Sequence, residues 1–301
     1  MIDAYQNILV ESLHSKEFST KKLAVMVARL DQIHPIVSGN KLFKLHYYIE
    51  AAKAMNTSTI VTLGGAYSNH LAATAFYCKQ QNMRSIGIVR GEESPALSHT
   101  LINCKENGMQ LIFVSRTEYA IINAENIAQF IAPNAASYLF IPEGGFDTMG
   151  AKGAAHIANM LALHQPTHVC TAIGTGTTFA GLLLNEGNTF KTIGIPVLKG
   201  LTDVSQRLEK LIGQQKTADY DIWDHYHFGG YAKTNPLLLN FMNDFYQQYQ
   251  IPLDFVYTAK MMYAVMAQIQ LGSFPPGSKI ICIHTGGLQG NLSLPKGSLV
   301  F

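Results

Sequence analysis

The stretch Ser58-Thr-Ile-Val-Thr-Leu-Gly-Gly65 is a short apolar run, rich in β-branched residues, that ends in a pair of glycines. Such a run is typical of a strand buried on both faces of a parallel sheet. The next residues, from Ser68 to Gln80, have helical periodicity. This part of the chain therefore predicts a strand, a tight turn and a helix.

The same strand and helix unit recurs along the chain. Strand-like runs at 85–89, 110–114 and 137–141 are each separated by a plausible helix. A second set has a helix at 149–164, strands at 168–173 and 192–197, and a last strand at 279–284. This alternation predicts an α/β fold with open, largely parallel sheets and helices on both faces. The glycines near 145–150 indicate a boundary between two domains, whereas residues 22–33 are compatible with either a strand or a helix.

Composition excludes several classes of protein. A net charge of +2 without a run of Lys and Arg gives no basic patch of the kind that binds nucleic acid. No apolar run reaches the roughly 18 to 20 residues of a membrane span, and the first residues lack the basic and apolar regions of a leader, so we expect a cytoplasmic protein. Four dispersed cysteines indicate buried thiols, and the histidines form no metal-binding motif.

A lysine follows a turn signal in Ser38-Gly-Asn-Lys-Leu-Phe-Lys-Leu45. Gly39 permits a turn, Asn40 is a favoured N-cap, and a helix is predicted from Lys41 to Met55. Lys41 would then project from a fixed point, with Lys44 on the same helical face for chemistry or charge balance. An ordinary helix N-terminus could have the same sequence. The motifs further along the chain therefore decide whether Lys41 is a catalytic lysine or part of a plain helix start.

Two glycine-containing loops follow predicted strands, at 63–70 and 174–181. The first contains Ser68 and Asn69 at a helix start, which suits an anion, although a plain helix cap would look the same. The second reads Gly174-Thr-Gly-Thr-Thr-Phe-Ala-Gly181 and departs from a dinucleotide fingerprint, because Phe179 replaces the third glycine. Its backbone N–H groups and hydroxyls favour a single phosphate.

The last strand runs into His284-Thr-Gly-Gly287, and Tyr231 and Tyr257 are aromatic candidates for the same site. A reactive lysine, a phosphate-binding loop and aromatic faces for a planar ring are the parts that pyridoxal phosphate requires of a protein. The sequence therefore predicts a pyridoxal phosphate enzyme.

The order of these motifs resembles the 1-aminocyclopropane-1-carboxylate deaminase and D-cysteine desulfhydrase family, of the tryptophan-synthase-β type (fold type II). The resemblance covers nearly the whole chain. It rests on Gly39-Asn-Lys-x-x-Lys-Leu45, Gly64-Gly-x-x-Ser-Asn-His70, Ile141-Pro-x-Gly-Gly145, Gly174-Thr-Gly-Thr-Thr178, Val256-Tyr-Thr-x-Lys260 and His284-Thr-Gly-Gly287. It implies a large domain of residues 1–50 and 151–301, a small mobile domain of residues 51–150, and a homodimer.

The resemblance also implies a role for each matching residue. Lys41 would be the Schiff-base lysine and general base, and Asn69 would contact the cofactor's phenolic oxygen. Ser68 and His70 would border the substrate carboxylate. Tyr257 would stack on the ring and Tyr231 would reach the substrate. The phosphate would be held by Gly174, Thr175, Gly176, Thr177 and Thr178.

The chain departs from the family pattern in two ways. Ser38 and Phe43 replace a glycine and an arginine that members often have. Ring-opening deaminases have Glu and Leu where this chain has Thr258 and Thr285, as the desulfhydrases do. A hydroxyl near the ring nitrogen leaves the cofactor a weaker electron sink, which favours elimination of a good leaving group. The expected reaction converts D-cysteine to pyruvate, ammonia and hydrogen sulfide. The alternatives are ring-opening deamination, elimination from another small β-substituted amino acid, or a silent binder, which is a binding protein of the same fold without catalytic activity.

Overall fold

A computed structural model describes residues 8–34, 37, 39–131, 137–184, 189–213 and 219–301. Ser38 and the opening residues 1–7 lie outside these ranges. Within them the chain forms a six-stranded and a four-stranded sheet, flanked by helices. The predicted α/β class is confirmed.

The larger sheet has the strand order β1-β2-β10-β7-β8-β9. All neighbours in it are parallel except β1 and β2. Its central strands are apolar on both faces because helices cover each side, as in other parallel sheets. The strands are β1 (Val10–Leu13), β2 (Ala24–Arg29), β7 (His168–Ile173), β8 (Lys191–Pro196), β9 (Tyr220–Ile222) and β10 (Lys279–His284).

The smaller sheet is wholly parallel and has the order β5-β4-β3-β6. Every residue of β3 is buried, as expected for the run that begins at Ser58. All four strands lie inside residues 51–150, the range predicted for a small domain. They are β3 (Thr59–Gly64), β4 (Arg84–Arg90), β5 (Met109–Val114) and β6 (Leu139–Ile141).

Close packing against α7 (Thr148–Ala162) fixes the start of α2 (Lys41–Ala54), the helix that begins at the candidate lysine. A Cβ at Gly153 in α7 would lie 2.1 Å from the carbonyl oxygen of Phe43 in α2, so only glycine allows this approach. The helices are α1 (Lys16–Thr20), α2 (Lys41–Ala54), α3 (Asn69–Gln80), α4 (His99–Glu106), α5 (Arg116–Ile121), α6 (Ala128–Ile131), α7 (Thr148–Ala162), α8 (Thr177–Leu183), α9 (Val204–Ile212), α10 (Pro236–Tyr249) and α11 (Thr258–Gln270). Short 3₁₀ turns are Leu30–Gln32, Glu143–Gly145 and Leu288–Ser293.

The segment left open at 22–33 contains strand β2 followed by a 3₁₀ turn. The four cysteines are buried and form no disulfide. Within the described ranges, no helix has both the length and the apolar content that a bilayer crossing needs.

Candidate active site

A cavity of about 460 Å³ lies where the carboxyl ends of strands from both sheets meet. Ligands of open α/β sheets bind at such an edge. All predicted site residues line this cavity except Thr177 and Thr258, which are buried beside it. The predicted residues on its wall are Lys41, Ser68, Asn69, His70, Gly174, Thr175, Gly176, Thr178, Tyr231, Tyr257 and Thr285.

Lys41 opens helix α2 from a constrained turn. Gly39 has a φ of +83°, and a Cβ there would lie 2.0 Å from the Thr285 carbonyl oxygen, so a side chain is excluded. Burial lowers the pKa of Lys41 to about 8, although the charge of Asp254 acts in the opposite direction. A substantial share of neutral amine near neutral pH is what a nucleophilic or proton-accepting lysine needs.

Asn40 precedes α2, but its side chain does not cap the helix as the sequence predicts. Its Oδ1 instead accepts a hydrogen bond from Lys41 Nζ at 2.8 Å, and its Nδ2 donates to Thr178 Oγ1 at 2.7 Å. Asn40 therefore occupies the predicted N-cap position, but it makes no capping hydrogen bond because the amide turns into the cavity. Asn40 thus holds the lysine amine beside the 174–178 loop.

The loop at 174–178 lines the cavity with small residues, which leave its backbone accessible to a ligand. Gly176 has a φ of +98° and precedes α8 without a side-chain cap, which leaves N–H groups of the first turn available. The hydroxyls of Thr175 and Thr177 are hydrogen bonded to each other at 2.9 Å. A Cβ at Gly174 would lie 3.0 Å from the Tyr257 ring, so the loop and this ring are in contact.

Lys44 contributes a second amine to the cavity and is buried. In the described part of the chain its amine has no hydrogen bond or ion pair. Burial, and then the charge of Lys41, lower the pKa of Lys44 well below its ordinary value. A buried amine of this kind is stabilised as a cation when an anion enters.

Ser68 caps helix α3 by accepting a hydrogen bond from Leu71 N at 3.3 Å. The buried Oδ1 of Asn69 has no hydrogen-bond partner among the described residues. Its Nδ2 would lie 2.9 Å from a Cβ at Gly287, so the Gly64–His70 and His284–Gly287 motifs meet across the cavity. An unpartnered buried oxygen of this kind indicates a ligand that supplies a donor.

His70 is buried and neutral, because burial and then the charges of Lys41 and Lys44 lower its pKa to about 3. The Thr62 hydroxyl donates to the Ile141 carbonyl oxygen at 2.8 Å, so His70 Nε2 must donate to Thr62 Oγ1, also at 2.8 Å. The remaining nitrogen, Nδ1, is therefore an acceptor without a partner in the described ranges.

Tyr257 and Tyr231 lie with ring centroids 6.1 Å apart. Burial raises the pKa of Tyr257 well above its ordinary value, and the electrostatic effect of the neighbouring Tyr231 raises it further. The Tyr257 hydroxyl therefore stays protonated. Partial burial also raises the pKa of Tyr231, although this side chain is 45% exposed. These rings form one wall of the cavity.

A buried carboxylate, Asp254, lies behind that wall, where the sequence predicts only hydroxyls. Its Oδ1 would lie 3.4 Å from a Cβ at Gly287. Its Oδ2 accepts from the N–H groups of Val256 and Tyr257, and its Oδ1 accepts from the N–H and hydroxyl of Thr258. Because a carboxylate offers about four lone-pair sites, Asp254 has none left for a ligand.

Comparison with known proteins decides the family. The family described as "Pyridoxal-phosphate dependent enzyme" matches residues 11–286. The chain belongs to this family. It is 28% identical over 284 residues to a putative 1-aminocyclopropane-1-carboxylate deaminase of Pyrococcus abyssi, covering 88% of this chain and 85% of the relative. It is 27% identical to a D-cysteine desulfhydrase of Salmonella choleraesuis, covering 85% of each.

Solved structures agree with this chain in fold. A crystal structure of an ACC deaminase homologue superposes with a TM-score of 0.79 at 24% identity, covering 95% of this chain and 90% of the other. A hydrogen sulfide-producing enzyme of Fusobacterium nucleatum superposes with a TM-score of 0.71 at 14% identity, covering 96% and 98%. The predicted resemblance and the predicted cofactor, pyridoxal phosphate, are confirmed at the level of the family.

The cavity of this pyridoxal-phosphate dependent enzyme fits its cofactor. Lys41 Nζ, with its lowered pKa, suits the aldehyde, and the unpartnered Asn69 Oδ1 suits a hydroxyl donor. The 174–178 loop and the unpaired Lys44 amine suit a phosphate dianion. These groups would hold the cofactor against Tyr257.

The sequence pattern did not single out Asp254, Arg90 or Glu143, although the last two line the cavity. Arg90 ends β4, and Glu143 follows β6 within the Ile141-Pro-x-Gly-Gly145 motif. A charged residue at, or just beyond, the carboxyl end of a parallel strand was the available signal, because that edge of the sheet faces the ligand.

Replacing Gly176 by valine is expected to weaken pyridoxal phosphate binding at least about tenfold, and more than Thr175→Ala. The left-handed backbone at Gly176 disfavours a branched side chain, and the loop would lose its cradle of N–H groups. Equilibrium titration of the apoprotein with pyridoxal phosphate measures the affinity. An unchanged affinity in Gly176→Val would place the phosphate elsewhere.

Proposed function

We propose that the protein catalyses β-elimination from a small β-substituted amino acid, with D-cysteine converted to pyruvate, ammonia and hydrogen sulfide. The observation that carries this proposal is that two threonines, Thr258 and Thr285, stand at the end of the cavity where the cofactor's pyridine ring would lie, with Thr285 on the cavity wall and Thr258 buried beside it. Thr285 lines the cavity, whereas ring-opening deaminases resemble one another in having Leu there and Glu at the position of Thr258.

The carboxylate of Asp254 is not free to bind the ring nitrogen. Its carboxylate is near the cavity, but four hydrogen bonds already use its lone pairs. The Thr258 hydroxyl is also engaged, because it bonds Asp254 Oδ1 and accepts from Asp254 N. The Thr285 hydroxyl therefore remains to face the ring nitrogen, and it carries no negative charge.

Pyridoxal phosphate, when bound, withdraws electrons from the substrate's α-carbon. Lys41 Nζ would take the α-proton, since burial keeps its pKa near 8 and Asn40 Oδ1 fixes its direction. The N–H groups at the start of α3, around Ser68 and Asn69, would receive the α-carboxylate. Tyr231, which stays protonated, would donate a proton toward the leaving sulfur.

The proposal predicts a choice between reactions. D-cysteine and β-chloro-D-alanine should yield pyruvate at least about tenfold faster than 1-aminocyclopropane-1-carboxylate yields 2-oxobutanoate, a difference of about 1.4 kcal/mol in barrier or more. The physical reason is that a thiolate or chloride leaves readily, whereas an unactivated carbon–carbon bond needs a stronger electron sink.

Assays of keto acid, with sulfide measured in parallel, test this choice on the D- and L-forms of each substrate. Efficient 2-oxobutanoate production by the wild-type protein would favour the ring-opening deaminase named among its relatives. No turnover of any β-substituted amino acid, despite the visible absorbance of bound cofactor, would favour a silent binder.

A further inference from the structure

The wall of the cavity carries a cation that the proposed chemistry does not use. Arg90 ends strand β4, and its guanidinium lies over the Tyr119 ring at 5.4 Å from the centroid. Its Nη2 would be 3.4 Å from a Cβ at Gly65, beside the loop that leads to Ser68. No ion pair of Arg90 occurs among the described residues. An arginine in this situation is suited to bind a carboxylate with two parallel hydrogen bonds.

Glu143 brings a negative charge to the same part of the cavity. Burial is the largest cause of the raised pKa values of Tyr119 and Tyr231. The negative charge of Glu143 raises both pKa values further, and the positive charge of Arg90 lowers both. Glu143 likewise has no ion pair in the described ranges. The charges of Arg90 and Glu143 therefore act on the same two tyrosines and form no ion pair with each other.

The other anions of the reaction already have places in the cavity. The 174–178 loop and Lys44 suit the cofactor's phosphate, and the start of α3 suits the substrate's α-carboxylate. Arg90 and Glu143 therefore form an additional polar site. Its charges match a carboxylate and an ammonium group, which together form the head of a second amino acid.

We propose that Arg90 and Glu143 bind the distal amino-acid head of the substrate, with the guanidinium on its carboxylate and the carboxylate on its ammonium group. The substrate class would then be a thioether that joins two amino acids, such as lanthionine or cystathionine. This inference rests on the proposed β-elimination and deepens it.

The reaction balances without an oxidant or reductant. Lys41 Nζ takes the α-proton, the Cβ–S bond breaks with its electron pair on sulfur, and a double bond forms between Cα and Cβ. The sulfur takes a proton and leaves as the thiol of the second amino acid. The remaining enamine consumes one water and yields pyruvate and ammonium.

Binding of non-eliminating analogues to the holoenzyme tests the inference by calorimetry. The probes are 2,6-diaminopimelate, 2-aminopimelate and 2-aminoheptanoate, which share a carbon chain and carry a distal zwitterion, a distal carboxylate and no distal charge. Wild-type protein is expected to prefer diaminopimelate to aminoheptanoate at least about tenfold. Arg90→Gln should remove the preference for both charged probes, and Glu143→Gln only the advantage of diaminopimelate over aminopimelate.

Two matched variants control for general effects of charge. Arg84→Gln lies at the opposite end of β4, and Glu92→Gln lies outside the cavity wall, and both side chains are exposed. Each should keep the wild-type order of affinities. Loss of that order in either control would show that the preference comes from overall charge and would overturn the assignment.

Turnover separates this inference from the proposed function. The wild-type protein should release pyruvate from lanthionine or cystathionine. Arg90→Gln and Glu143→Gln should lose this activity more than they lose the release of pyruvate from D-cysteine, which would support a distal-head site at Arg90 and Glu143. Turnover of D-cysteine with no preference among the calorimetric probes would overturn this inference alone. An absence of pyruvate from every β-substituted amino acid would instead overturn the proposed function.

Discussion

Replacing Lys41 by alanine is expected to abolish turnover, lowering the rate by at least about a thousandfold, or about 4 kcal/mol of barrier. The same change should remove the visible absorbance of lysine-bound pyridoxal phosphate. Lys41 Nζ is held by Asn40 Oδ1 at 2.8 Å, and burial lowers its pKa to about 8. Its loss removes both the covalent anchor and the proposed base.

Two other buried lysines provide the contrast. Lys260 does not line the cavity, and its Nζ donates to the Gly230 carbonyl oxygen at 2.6 Å. Lys44 lines the cavity but is proposed to meet the phosphate. Borohydride reduction of the holoenzyme, followed by peptide mapping, should locate the cofactor on Lys41. Attachment to Lys44 or Lys260 would disprove the assignment.

The exposed Lys53, near the end of the same helix, provides a matched control. Among the residues that the structure describes, its amine pairs with Glu50 alone, at 3.3 Å. Lys53→Ala should therefore keep the absorbance and the turnover of the wild-type protein. A comparable loss in this variant would indicate that α2 is destabilised rather than that its reactive amine is missing.

The fold was predictable wherever strands are buried on both faces. The runs that became β3, β4, β7 and β10 are nearly continuous in apolar residues, because helices cover both sides of each sheet. The edge strands β1 and β9 were missed, since they are short and partly exposed and so have no such run.

The site was predictable where glycines and hydroxyls recur in a motif, and less so where one side chain acts from a distance. Asn40 has the residue type of a helix cap, and only the packing of α2 against the 174–178 loop turns its amide inward. Asp254 is a single acidic residue in a loop, and its burial depends on tertiary contacts. Arg90 and Glu143 are far apart in sequence, and only the pairing of β4, β3 and β6 brings them to the same edge of the smaller sheet.

Asp254→Asn is expected to lower the free energy of unfolding by about 3 kcal/mol, because an amide nitrogen cannot accept the hydrogen bonds that one carboxylate oxygen receives. Those donors are the N–H groups of Val256 and Tyr257 on Oδ2 and the N–H and hydroxyl of Thr258 on Oδ1. Denaturant unfolding measures the change. The exposed Asp244→Asn should stay within about 0.5 kcal/mol of the wild-type protein.

The same substitution should also change how the reactive lysine titrates. The charge of Asp254 raises the pKa of Lys41 against the larger lowering by burial, so its removal should move that pKa below about 8. Only the neutral amine attacks an aldehyde, so the rate of cofactor uptake by the apoprotein rises with pH through the pKa of Lys41. The midpoint of this rise should therefore shift to lower pH in Asp254→Asn and stay in place in Asp244→Asn. A midpoint that rises or does not move would show that the buried carboxylate does not control the amine, and that Asp254 serves only to hold the loop before α11.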